Sequence, residues 1–141
     1  MTQWQEADTI KSEIEAADTI FIHRHVRPDP DALGSQLGLQ RILKSVHPGK
    51  QIYVVGGMVP DLEFLGKMEH VEEEMYQDAL VLILDTANQE RIDGPFALKG
   101  KTIIKIDHHP DEDPYAMTQI VDPSVSSTSE MIVELADIWG Y

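Results

Sequence analysis

Thr19-Ile20-Phe21-Ile22-His23 is a β-branched and aromatic run that gives way, one residue later, to His25-Val26-Arg27-Pro28-Asp29-Pro30-Asp31. The run predicts a strand. Beyond it, Leu33, Leu37, Leu39, Ile42, Leu43 and Val46 mark the inward side of a helix predicted over 32–46, which His47-Pro48-Gly49 stops. Another strand follows at once, Gln51 to Val55, closed by Gly56-Gly57. Strand, short loop, helix and strand make the unit from which parallel sheets are built.

The same alternation continues on both sides. Trp4, Ala7, Ile10 and Ile14 predict an amphipathic first helix over 4–16. Pro60 to Lys67 reads as a short helix, and Glu72 to Glu74 as a solvated acidic edge. Strands are predicted at 81–85 (VLILD), 102–107 (TIIKID) and 118–122 (TQIVD). A last helix runs from about Ser127 to Trp139 with Met131, Ile132, Leu135 and Ile138 inward. The expected fold class is therefore α/β: one domain, a parallel β-sheet with helices on both faces, Rossmann-like. Ligands of such sheets bind outside the carboxyl ends of the strands. Asp29, Asp31, Asp85, Asp107 and Asp122 all stand where strands are predicted to end.

Composition narrows the function. A chain of 141 residues holds one real core and not two. No apolar stretch approaches the ~20 residues of a membrane span, and the acidic N-terminus lacks the pattern of a signal peptide. The absence of cysteine excludes disulfides, thiolate metal sites and a cysteine nucleophile. A cytoplasmic protein is the simplest expectation. The net charge of −14 argues against a surface built for long nucleic acid. A small phosphate ester remains compatible with that acidity, because bound divalent cations reverse the local potential.

The clustered groups specify more. His25, Asp29 and Asp31 fall within one loop; Asp85 ends a central-looking strand; Asp107, His108 and His109 end another. Carboxylates and imidazoles gathered at one sheet edge suit a pair of divalent ions about 3.5–4 Å apart, which lower the pKa of water and neutralise phosphoryl oxygens. Asp85 is the candidate bridge, with His25 and Asp29 on one ion and Asp31 and His108 on the other. Pro28 and Pro30 have fixed φ and restrain the residues before them, stiffening the loop before metal arrives. Asp31 also stands where the helix N-cap is expected.

HVRPDPDALGS, the strand-terminal aspartate of LILDTAN, and IDHH together resemble the DHH phosphoesterase superfamily, and DPSVSSTSE is similar to its oligoribonuclease and phosphoadenosine-phosphate phosphatase branch. The resemblance spans Phe21 to Glu130. It implies His25, Asp29 and Asp85 around one Mn²⁺ and Asp31, Asp85 and His108 around a second, with Mg²⁺ or Co²⁺ as alternatives. It implies that His109 lies near the scissile phosphate, binding it or helping the leaving group depart, and that Asp107 orients the neighbouring imidazoles. Pro30 stands where family members often have glycine. The family also carries a further metal aspartate and a smaller substrate-holding domain beyond the last helix seen here. The resemblance thus implies that residues 1–141 are a DHH catalytic domain cut short before both. A sheet left incomplete exposes apolar surface that favours self-association, which keeps a homodimer open.

The expected function is manganese-dependent hydrolysis of short oligoribonucleotides or 3′-phosphoadenosine-5′-phosphate by the intact protein. The alternatives are a cyclic-dinucleotide phosphodiesterase, a pyrophosphatase relative, or an inactive metal-binding fragment. Arg27 is a candidate phosphate contact. His23 is expected to be structural, a buried strand-end histidine with a hydrogen-bond partner, and His47 and His70 to lie on the surface. Ser126, Ser127 and Thr128 are expected to open the last helix, with Glu130 completing a capping box from Ser127.

Overall fold

A computed structural model describes residues 4–141. Five strands, β1 (Thr19–His23), β2 (Gln51–Val54), β3 (Leu80–Leu84), β4 (Thr102–Asp107) and β5 (Thr118–Val121), form one parallel sheet in the order β2-β1-β3-β4-β5. The α-helices are α1 (Ala7–Ala16), α2 (Pro30–Val46) and α3 (Thr128–Trp139). Every strand was legible in the sequence to within a residue at either end. β3 is buried along its whole length, as a central parallel strand must be when both faces are covered.

Alternate strand residues feed two cores. Ile20, Ile22, Leu82, Leu84, Ile104 and Ile106 face α1, α2 and α3. Phe21, Val81, Ile83 and Ile103 face the other side, closed by Tyr76, Ala97 and the segments around them. All three α-helices therefore share one face, and the 3-10 turns Glu73–Tyr76 and Ala97–Lys99 serve the opposite one. Topology supplies the reason for α2 and for the later connections. Crossovers between parallel strands are right-handed. From β1 to β2 the chain steps one way; from β2 to β3, β4 and β5 it steps the other, so those connections cross the opposite face. The order reverses between β1 and β3, where such sheets open their ligand crevice.

Three local differences from the sequence reading matter. The 60–67 helix is a 3-10 turn, Pro60–Leu65. Val46, expected inward, is 37% exposed at the last turn of α2. And α2 starts at Pro30 rather than at 32, with Asp29 as its N-cap, its carboxylate accepting from the Ala32 N–H at 2.8 Å. Proline fits the first helical turn, where its missing N–H leaves nothing unsatisfied. Asp31 is thereby moved inside the helix and its side chain is released for other work. Among the described residues, no helix is long and apolar enough to cross a membrane.

Candidate metal centre

Sheet register assembles the site. His23, Ile83 and Lys105 lie side by side across β1, β3 and β4. Two residues further along each chain stand His25, Asp85 and Asp107, at the carboxyl edge of three adjacent strands. Asp85 adopts a left-handed backbone with φ 55°, rare for a residue other than glycine and costing of order 1 kcal/mol or more. The turn is fixed by its neighbours: the Asp85 N–H donates to Ile106 O (3.0 Å), and Thr86 Oγ1 to Leu84 O (2.9 Å).

Around the Asp85 carboxylate two groups of donors converge, His25, Asp29 and Asp85 in one and Asp85, His108 and His109 in the other. His25 Nε2 lies 3.4 Å from Asp85 Oδ2 and 3.7 Å from Asp29 Oδ2. On the other side His108 Nε2 is 3.5 Å from both Asp85 Oδ1 and Asp31 Oδ2, and His109 Nδ1 is 3.7 Å from Asp85 Oδ1. Two ligands on one ion at roughly 2.1 Å each stand about 3.0–3.5 Å apart, so the His25–Asp85, His108–Asp85 and His108–Asp31 spacings suit shared cations better than direct hydrogen bonds. Asp107 adds a second sign: its Oδ1 lies 2.7 Å from His109 Nδ1, while its Oδ2 is buried with no hydrogen-bond partner. The residues present fit a divalent metal pair.

The local electrostatics are those of crowded carboxylates. Burial pushes the Asp85 carboxyl up and nearby Asp31 adds to that, while His25 opposes it. His25 is raised in turn, chiefly by Asp85 against its own burial. Burial would raise Asp31 as well, but hydrogen bonds from Ser129 and Thr128 outweigh it and hold that carboxyl below its ordinary value.

Those last bonds were invisible in the sequence. Asp31 Oδ2 accepts from the Thr128 N–H (3.1 Å), and Oδ1 from the Ser129 N–H (2.9 Å) and Ser129 Oγ (2.7 Å). Thr128 Oγ1 donates to Asp85 Oδ1 at 3.1 Å in a fully buried contact. The first turn of α3 is thus fastened to two carboxylates of the centre. Ser127 is the N-cap of α3, accepting from the Glu130 N–H, whereas the Glu130 carboxylate turns to Ser126 instead of closing a box on Ser127.

Two buried cations were also missed. Arg24 has 0% exposure; its guanidinium pairs with Asp93 (2.6 Å), donates to Gln36 Oε1 (3.1 Å) and reaches Gly57 O. Gly56, at φ 138°, leaves the room, since a Cβ there would collide with that guanidinium. The network secures the chain beside His25, where the Asp93 N–H donates to Arg24 O (2.9 Å) and His25 bridges Ile92. Lys105, equally buried, donates to Ala87 O (2.9 Å) and Asp113 O (3.1 Å), tying the loop after Asp85 to the loop after His109. A lysine inside TIIKID and an arginine between two histidines were the available signals.

His23 turns away from the centre, its ring between Asp93 O (2.8 Å) and Tyr76 Oη (2.7 Å), and burial pushes its pKa down to about 4. His70 is exposed; His47 is half-buried against Tyr141. Arg27 is exposed on the loop between His25 and Asp29, with φ 51°. The cleft over the centre, 250 Å³, is lined by His25, Asp29, Asp85, Ala87, Asn88, Arg91 and His109.

The model of the DHH family, N-terminal domain, matches residues 19–140. The chain belongs to the DHH family. Its DHH domain is 55% identical over 122 residues to the bifunctional oligoribonuclease and PAP phosphatase NrnA of Bacillus subtilis, covering 86% of this chain and 39% of that protein. It is 50% identical over 128 residues to the probable bifunctional oligoribonuclease and PAP phosphatase NrnA of Streptococcus mutans, covering 91% and 41%. The DHH domain therefore spans about two fifths of the length of the curated relatives it matches. Among solved structures it resembles an exopolyphosphatase-related protein from Bacteroides fragilis, with a TM-score of 0.85 at 28% identity over 96% of this chain and 44% of that one. At the level of the family, DHH proteins with these relatives are phosphoester hydrolases.

Proposed function

We propose that this DHH domain supplies the two-metal centre of a manganese-dependent phosphoesterase that hydrolyses short oligoribonucleotides, 3′-phosphoadenosine-5′-phosphate, or both. The observation that carries the reading is the pair of donor groups sharing Asp85. Carboxylates with imidazole and no thiolate favour manganese over softer ions. When bound, the metals would lower the pKa of water and offset charge on the phosphoryl oxygens.

The chain's own residues then divide the work. Asp85 would be shared by the two ions; His25 and Asp29 would hold one, Asp31 and His108 the other. Asp107 takes one nitrogen of His109, leaving the other for the scissile phosphate or the departing oxygen. Arg27, exposed on the loop, meets an outlying part of the substrate. The similarity to NrnA proteins at 50% identity and above supports this substrate class over cyclic dinucleotides or pyrophosphate.

The test loads the chain with Mn²⁺, counts ions per chain, and assays an RNA dinucleotide and 3′-phosphoadenosine-5′-phosphate, with Mg²⁺ and Co²⁺ for comparison. Two ions with turnover support the reading in full. Two ions without turnover place this chain with inactive metal-binding fragments. Fewer than two sink the shared-carboxylate centre.

A further inference from the structure

Arg91 is the one cation among the residues lining the cleft, which otherwise presents carboxylates, imidazoles and an amide. Its side chain is exposed and has no ion-pair or hydrogen-bond partner among the described residues. Its backbone, by contrast, is fixed: Arg91 O accepts from the Val26 N–H at 2.8 Å, and the next residue, Ile92, bridges His25. A free guanidinium thus rides on a backbone tied to the segment that carries His25 and Asp29. Three residues earlier, Asn88 also lines the cleft, and its Oδ1 is buried without a partner.

Charge gives this arrangement a use. Asp29, Asp31, Asp85 and Asp107 together balance two divalent ions, leaving no net positive charge for a phosphoryl group. An arginine on the rim supplies it, and its planar fork matches two phosphoryl oxygens as a point charge cannot. An exposed arginine with no partner of its own has no internal bond to break before it binds.

We propose that Arg91 is a substrate-binding residue that grips the phosphoryl oxygens of a nucleotide phosphate beside the metal centre, with the Asn88 amide alongside. The inference rests on the phosphoesterase reading and names the protein group that would hold the phosphate.

The experiment titrates adenosine 5′-monophosphate into the Mn²⁺-loaded chain by calorimetry, for wild type, Arg91→Ala, Arg91→Lys and Asn88→Ala. Mn²⁺ binding is measured first for each. Arg91→Ala should weaken nucleotide binding at least tenfold with manganese stoichiometry and affinity unchanged, and the loss should shrink as salt rises. Arg91→Lys, which keeps the charge without the fork, should fall between the two, and Asn88→Ala should lose a few-fold. Arg41→Ala, on the exposed side of α2, controls for net charge and should bind as wild type does. If Arg91→Ala binds the nucleotide as tightly as wild type, the proposal fails while the phosphoesterase reading stands. Weakened manganese binding in Arg91→Ala also overturns it, because the residue would then act through the loop's structure. Wild-type chain that takes up manganese but no nucleotide overturns the proposal alone, because the phosphoesterase reading is judged by its metal count and turnover.

Discussion

At the scale of single residues the centre is held by groups that never touch a metal. Thr128 Oγ1 fixes one oxygen of Asp85 from inside the core. Thr128→Val keeps the shape and removes the donor, so Mn²⁺ affinity should fall about tenfold with about 1 kcal/mol of stability lost. Thr128→Ser should restore the affinity; calorimetry on both variants checks it. His23 gives a second expectation. Its pKa falls from 6.5 to about 4 on folding, so the unfolded chain binds this proton more readily. Stability from that site is full above about pH 6.5 and is lost as pH falls toward 4, by about 3 kcal/mol in all. The His23 C2–H resonance should accordingly stay in its neutral position down to about pH 5. The ligand candidates were legible because their types cluster within short stretches of chain. Arg24, Lys105, Thr128 and Arg91 were not, because each gains its role from a partner or a cleft supplied by another element.

At the scale of elements, carboxylates at the start of α2 accept from N–H groups of both α2 and α3, which a local reading misplaces. Asp29 both caps α2 and offers its other oxygen toward His25. The two duties separate by substitution. Asp29→Asn keeps a cap acceptor and should leave the metal-free fold within about 0.5 kcal/mol, yet weaken manganese binding; Asp29→Ala should cost about 1 kcal/mol besides. Urea melts in chelator beside metal titrations distinguish them, and equal metal affinity in Asp29→Asn and wild type would remove Asp29 from the ligand set. Asp31, a candidate ligand standing where the α2 cap was expected, accepts from two N–H groups at the start of α3, 97 and 98 residues away. Sequence patterns record what a residue's neighbours favour; they carry no trace of a bond across that separation.

At the scale of the whole molecule, the strands and helices were readable because apolar runs and their stops are local. The strand order was not, since it depends on which edges meet. The placement of α2 on one face, and of the later connections on the other, follows from that order. Drawing aspartates to one edge also burdens the metal-free fold: burial first, and then the neighbouring Asp31 and Asp29, raise the Asp85 carboxyl. Metal should therefore stabilise the fold by roughly 3 kcal/mol at a hundredfold excess over Kd, on the order of 5–10 °C in Tm. A thermal melt in Mn²⁺ against one in chelator measures it, and coincident curves would leave the edge without a metal role.

Trp4 and Trp139 lie 6% and 2% exposed, and Trp139 Nε1 donates to Ala7 O at 2.9 Å, joining the last helix to the first. They are the only tryptophans in the chain. Trp139 stands eleven residues along α3 from Thr128, roughly 17 Å at the rise of an α-helix. The molecule consequently carries its own optical gauge at the far end of the helix that touches the centre. Its emission colour should hold steady when an ion binds and shift to the red only when the first and last helices part, so one cuvette can tell loading from unfolding.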